Sequence, residues 1–206
     1  MPVKIKICGI TRAEDAAAAV EAGADALGFM LYNKSKRFVT LEQAASIAST
    51  LPPFVTRVGV MVDPDEKDVR LAISEAGMNC IQFHGDEPPD WMSRFPVPAI
   101  KGFRIRDRES LTRLPQYDGA AAWLLDSFVA GELGGTGHQF NWDLAIEASK
   151  AGKPIILAGG INPQNIAQAI HRVQPYAIDL ASGVESSPGI KDHQKIRDLM
   201  KAVHAC

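Results

Sequence analysis

Eight apolar runs of strand length, separated by segments with helical spacing, decide most of what this chain can fold into. The runs are Lys4–Cys8, Ala26–Met30, Arg57–Val62, Cys80–Phe83, Ala99–Phe103, Ala121–Asp126, Pro154–Leu157 and Tyr176–Leu180. Between them apolar residues recur at steps of three and four, as in Leu41, Ala44, Ala45, Ile47 and Ala48, or Ile166, Ala169, Ile170 and Val173. Strands alternating with single helices give βαβ units and a parallel sheet. A weak repeat marks the unit: Glu21-Ala22-Gly23, Glu75-Ala76-Gly77 and Ala151-Gly152 each close a helical stretch and precede a strand. Thr11 with Glu14, Thr40, Asn141 and Asn162-Pro163 stand where helix starts need capping.

Eight such units in 206 residues leave two closures. An open doubly wound sheet usually has fewer strands, and the Gly-x-Gly-x-x-Gly fingerprint is absent after the first run. A (β/α)8 barrel has a lower limit near ~200 residues. The expected architecture is therefore α/β, a single-domain (β/α)8 TIM barrel of minimal length spanning 1–206.

Charge and cysteine content narrow the function. A net charge of −2 with no block of like charge argues against nucleic-acid partners. No apolar run approaches the ~18 residues of a membrane span, and the alternating Met1-Pro2-Val3-Lys4-Ile5-Lys6 start lacks a signal-peptide core. Three cysteines, Cys8, Cys80 and Cys206, form no Cys-x-x-Cys pair, so a cytoplasmic protein without disulfides or zinc is expected. No metal-ligand spacing such as His-Glu-x-x-His occurs.

In this architecture chemistry sits at the C-terminal ends of the strands. Strand alternation puts Lys4, Lys6 and Cys8 on one face of the first run and Val3, Ile5 and Ile7 on the other; the apolar set should face the helices. Cys8 then becomes a thiol at the barrel mouth, either a partly ionised base or a small buried apolar residue. By the same alternation Leu124 and Asp126 point inward and Trp123 and Leu125 outward. A carboxylate ending an apolar strand must be paired, protonated or functional. Lys6 is either a Schiff-base nucleophile or the partner of Asp179 on the adjacent eighth strand, and pairing is favoured. The facing of Lys101 is not fixed by the sequence.

Glycine clusters end three consecutive strands: Gly134-Gly135-Thr136-Gly137, Gly159-Gly160 and Ser182-Gly183. Bare N–H groups there, with the Thr136 hydroxyl, suit a phosphate. Candidate phosphate ligands are thus Gly135, Thr136, Gly137, Gly159, Gly160, Ser182 and Gly183. Arg37, after the second strand, could grip a carboxylate bidentately, or be an ordinary solvated arginine. His84 could transfer a proton, although a structural histidine is the commoner case.

These residues resemble one family. Lys6-Ile7-Cys8-Gly9-Ile10-Thr11, Gly28-Phe29, Ser35-Lys36-Arg37, Val58-Gly59-Val60, Gln82-Phe83-His84-Gly85 and Leu125-Asp126 are similar, in order, to motifs of the phosphoribosylanthranilate isomerases. The run Gly134-Gly135-Thr136-Gly137 with Phe140 and Trp142, then Leu157-Ala158-Gly159-Gly160-Ile161 and Ser182-Gly183-Val184-Glu185, completes the likeness from residue 4 to about 200. The departures are small: Asn141 replaces a common aspartate, and Leu180-Ala181 precede Ser182 where valine and serine are common.

The resemblance implies an Amadori rearrangement of N-(5-phosphoribosyl)anthranilate to the 1-deoxyribulose phosphate in tryptophan biosynthesis. It implies Asp126 as general acid on the furanose oxygen and Cys8 as base at sugar C2. Arg37 would hold the anthranilate carboxylate and the glycine-rich strand ends the phosphate. No cofactor is implied, because the anthranilate nitrogen supplies the conjugation. The expected partner is a small phosphorylated substrate, not nucleic acid or membrane, and the expected state is monomer or homodimer. Three other readings compete: a Schiff-base lyase using Lys6 or Lys101, a non-catalytic phosphate-ligand binder, and the related barrel isomerase of histidine biosynthesis, which typically uses paired aspartates.

Overall fold

The structure is a computed structural model that describes residues 2–127 and 141–206. Eight parallel strands close into a barrel in chain order: β1 (Lys4–Cys8), β2 (Ala26–Met30), β3 (Thr56–Met61), β4 (Cys80–Phe83), β5 (Ala99–Ile105), β6 (Ala122–Ser127), β7 (Ile155–Leu157) and β8 (Ala177–Leu180). Lys6 pairs Asp179 where β8 meets β1, which completes the ring. Three strands have the bounds their sequence suggests; the other five shift at one or both ends.

Around the barrel run α1 (Ala13–Ala22), α2 (Leu41–Ala48), α3 (Glu66–Ser74), α4 (Trp142–Ser149), α5 (Ile166–Val173) and α6 (His193–His204). After β4 and β5 the regular helix is replaced by 3-10 segments, Pro89–Ser93 and Glu109–Tyr117. Proline explains the second: Pro115 inside it removes a donor and would clash with the preceding turn of an α-helix. A short antiparallel hairpin, β9 (Glu185–Ser187) with β10 (Ile190–Lys191), follows β8.

Capping follows the sequence in part. Thr40 and Gln43 form a reciprocal capping box, with hydrogen bonds of 3.1 and 2.9 Å. Asn141 accepts from the Asp143 N–H at 3.1 Å. The Thr11–Glu14 box does not form: α1 starts after Arg12, and the Thr11 hydroxyl donates instead to the Gly189 carbonyl. Asn162 caps the turn leading into α5, accepting from the Gln164 N–H, and the helix itself begins three residues after Pro163.

Alternation divides the core into two. Ile5, Ile7, Trp123, Leu125, Leu157 and Ile178 pack between barrel and helices. Cys8, Val58, Val60, Cys80, Ile100, Leu124 and Ile156 fill the barrel. Lys6 points inward as expected, whereas Lys4 ends at the rim, half exposed, paired with Asp25 at 2.8 Å. No helix among the described residues is long and apolar enough to cross a membrane.

Candidate active site

The chemistry collects where strand ends face one another across the C-terminal mouth. Cys8, Arg37, His84, Arg104, Asp126 and Asp179 all line this one cavity. Cys8 comes from the end of β1, and its thiol has space because residue 28 on the paired strand is glycine. A Cβ at Gly28 would stand 2.7 Å from Cys8 Sγ and 3.1 Å from its Cα. Below the thiol, Lys6 Nζ meets Asp179 Oδ1 at 2.8 Å, with both side chains nearly buried. Desolvation opposes the Lys6 ammonium, but Asp179 and Cys8 outweigh it and raise its pKa. Lys6 is thus a protonated half of an ion pair, which removes the free amine a Schiff base requires.

Burial also dominates at Cys8 and pushes its thiol up, against the opposing pull of Lys6. Of the two states the sequence leaves open, burial favours the neutral thiol over the partly ionised one. A proton leaves Cys8 against desolvation, with the Lys6 and Lys191 charges helping.

Asp126 faces the same cavity from β6. Its carboxyl is raised to about 6, first by desolvation and then by the Asp179 charge, with the Ser127 N–H, Arg104 and Lys6 opposing. The Ser127 N–H donates to its Oδ1 at 2.8 Å. A carboxyl tuned toward neutrality can hold a proton to give, as general acid catalysis needs. His84 Nε2 lies 3.8 Å from Asp126 Oδ2. Desolvation, then the Arg104, Lys101 and Lys6 charges, depress the imidazole to about 3, so it stands neutral beside Asp126 and makes no ion pair. Its Nδ1 meets Gln82 Nε2 at 3.1 Å.

Arg37 reaches the mouth but is already engaged. Its Nε and Nη2 donate to the two Glu185 oxygens at 2.8 and 2.7 Å. Glu185 in turn accepts from Lys191 Nζ at 2.9 Å, and Lys191 donates to the Cys8 carbonyl at 2.6 Å. This chain ties the end of β1 to the loops after β2 and β8. Gly9 is part of it: with φ of 75° it holds a left-handed turn, and a Cβ there would strike Arg37 Cδ at 2.5 Å. Glu185 takes the Nε edge of the Arg37 fork, which leaves Nη1 and the second Nη2 hydrogen for a substrate acid. Sequence reasoning missed Glu185 and Lys191 because only the hairpin brings them under the mouth.

At the ends of β7 and β8, Gly159 and Gly160 have φ of 84° and 68°. Their N–H groups, and those of Ser182 and Gly183, donate to no acceptor among the described residues. Gly183 abuts the Ile161 carbonyl so closely that no Cβ fits. Gly135, Thr136 and Gly137 lie outside the described residues. Lys101, whose facing sequence left open, turns outward and is buried against Glu87 at 2.8 Å and the Gly85 carbonyl at 2.6 Å, far from a catalytic amine's needs. Among the described residues no group of three or more His, Cys, Asp or Glu is arranged to hold a metal ion.

A closed parallel barrel with a thiol and a raised carboxyl lining one C-terminal mouth is the architecture of the (β/α)8 enzymes. Known proteins specify which. The sequence profile of the N-(5'phosphoribosyl)anthranilate (PRA) isomerase family matches residues 5–202. A protein of Nitrosomonas eutropha named N-(5'-phosphoribosyl)anthranilate isomerase is 47% identical, the match covering 100% of this chain and 99% of the relative. The crystal structure of phosphoribosyl anthranilate isomerase from Thermotoga maritima superimposes with a TM-score of 0.93 at 38% identity, covering 99% of this chain and 100% of that one. A phosphoribosyl anthranilate isomerase in complex with reduced 1-(o-carboxyphenylamino)-1-deoxyribulose 5-phosphate gives 0.89 at 37% identity, with 99% and 100% covered. The chain belongs to the N-(5'-phosphoribosyl)anthranilate isomerase family and is an aldose–ketose isomerase of tryptophan biosynthesis.

Proposed function

We propose that this chain rearranges N-(5-phosphoribosyl)anthranilate by paired proton transfers from Asp126 and to Cys8. The observation carrying this reading is the Asp126 carboxyl, raised to about 6 and lining one cavity with Cys8. Protonated Asp126 gives its proton to the furanose ring oxygen, the C1–O bond breaks, and the anthranilate nitrogen takes up the charge as a Schiff base. Cys8 then removes the proton from C2. The electron pair moves into the C1–C2 bond to give the enolamine, which tautomerises to the ketone. Each positioned transfer is typically worth ~10²–10⁴-fold.

Lys6, protonated and 2.8 Å from Asp179, supplies the positive charge that a Cys8 thiolate needs in the barrel. The free N–H groups of Gly159, Gly160, Ser182 and Gly183 cradle the phosphate, together with the Gly135–Gly137 run. Arg37 turns Nη1 and the second Nη2 hydrogen to the substrate carboxylate while Glu185 holds its Nε edge. The enzyme acts in the cytoplasm as one domain over 1–206, monomer or homodimer, on a freely diffusing small substrate.

Substrate deuterated at ribose C2 tests the central step. A primary isotope effect on the single-turnover rate is expected, with the rate itself cut by orders of magnitude in Cys8→Ser. Full-rate turnover in Cys8→Ser would remove Cys8 as the base.

A further inference from the structure

Gln82 and His84 continue the inner face of β4 beyond Cys80 and line the same cavity as Cys8 and Asp126. The imidazole has room there because residue 102 on the neighbouring β5 is glycine. A Cβ at that position would collide with Nδ1, Cε1 and Cγ of the ring. Burial, then the surrounding cations, keeps the ring neutral, so one of its nitrogens carries a proton and the other does not. Gln82 decides which. Its Nε2 lies 3.1 Å from Nδ1, and an amide nitrogen can only donate, so Nδ1 accepts and the ring proton sits on Nε2.

The two oxygens of Asp126 are held differently. Oδ1 accepts the Ser127 N–H at 2.8 Å, which favours the acidic proton on Oδ2. Oδ2 accepts no hydrogen bond among the described residues and faces His84 Nε2 across 3.8 Å. While Oδ2 keeps its proton, the Nε2–H has no charge to hold. Once that proton passes to the substrate, Oδ2 is an anion with a neutral N–H donor before it, and each carboxylate oxygen then has one N–H. A neutral ring suits this task better than a cation, whose permanent charge would ionise Asp126 before substrate arrives. We propose that His84, with its tautomer set by Gln82, is a positioning residue that closes on Asp126 Oδ2 as the acid gives up its proton. A bond that is long in the free enzyme and tightens during reaction stabilises the transition state selectively. This rests on the isomerase reading with Asp126 as the acid.

Single-turnover rates with and without deuterium at ribose C2 test it. His84→Leu should slow turnover ~10- to 100-fold, the loss expected for one hydrogen bond to a charged group. Because ring opening is slowed and proton removal by Cys8 is not, the isotope effect should shrink toward unity. His84→Gln, which keeps an N–H donor near the place of Nε2, should recover much of the rate and of the isotope effect. In an Asp126→Asn background His84→Leu should cost little more, since no carboxylate forms there. Nitrogen NMR of the histidine-labelled wild type should show the His84 ring protonated at Nε2 near neutral pH. A ring protonated at Nδ1 overturns the proposal. So does an undiminished isotope effect in a slowed His84→Leu, the mark of a merely structural role, or a loss that adds in full to that of Asp126→Asn. The isomerase reading fails separately, if wild type leaves the substrate unchanged or Asp126→Asn matches its rate, and the proposal then falls with it.

Discussion

Replacing Asp126 by asparagine should make the protein more stable while disabling it, and the gain should depend on pH. The Asp126 carboxyl rises from an ordinary 3.8 to about 6, because burial and the Asp179 charge disfavour its ionised form. Below 3.8 the group is protonated in both the folded and the unfolded chain and contributes nothing. Between 3.8 and about 6 the folded chain keeps a proton that the unfolded chain has released, so stability falls as pH rises. Above that window the full penalty applies. A rise of about two units at 1.36 kcal/mol each gives ~3 kcal/mol, a large share of a typical ~5–15 kcal/mol total. Asparagine keeps an oxygen for the Ser127 N–H and has no proton to lose. Urea unfolding of wild type and Asp126→Asn should therefore show near-equal stabilities at about pH 4 and a gain of ~3 kcal/mol for the variant at about pH 8. A difference that does not change with pH, or a variant that is weaker at the higher pH, would refute the reasoning.

Other consequences are equally open to measurement. The kcat/KM profile should rise with pH and bend to a plateau near 6, where Asp126 begins to lose its proton just as Cys8 gains ionised fraction. It should fall again only above the Cys8 thiol, which lies higher than its ordinary 9.0; a profile centred on a histidine-like value would contradict this. Gly28→Ala should keep the fold but displace the Cys8 thiol, since its Cβ would lie 2.7 Å from Sγ, and cost ~10²-fold in kcat/KM. Unchanged kinetics would show that the thiol position is not critical. Asp179→Asn should cost ~3–5 kcal/mol in urea unfolding by stranding the Lys6 ammonium in the barrel. Adding Lys6→Met should recover part of that loss, and strictly additive losses would argue against the pairing.

Strand alternation carried most of the fold and half of the site. Period-two patterning put Cys8, Leu124 and Asp126 inside the barrel and Trp123 and Leu125 under the helices, where they are found. Barrel closure alone was enough to pair Lys6 with Asp179. Local chemistry was less legible. The alternation of strands and helices did not show that the segments after β4 and β5 are 3-10 turns, the second interrupted by Pro115. Thr11 reads as a cap, yet a hairpin more than 170 residues away claims its hydroxyl. The same hairpin brings Glu185 against Arg37 and Lys191 under Cys8, a contact set by tertiary geometry and without a spacing signature. The ionisation of Cys8 was left open by the sequence, because it turns on depth in the barrel, which outweighs the lowering pull of Lys6.

The most direct measurement follows anthranilate fluorescence. With phosphoribosylanthranilate generated in situ, wild type should quench the substrate signal rapidly, and Cys8→Ser and Asp126→Asn should each slow that decay by orders of magnitude while remaining folded. A wild-type protein that leaves the signal untouched, or folded variants that match its rate, would contradict the assignment of proton transfer to Asp126 and Cys8.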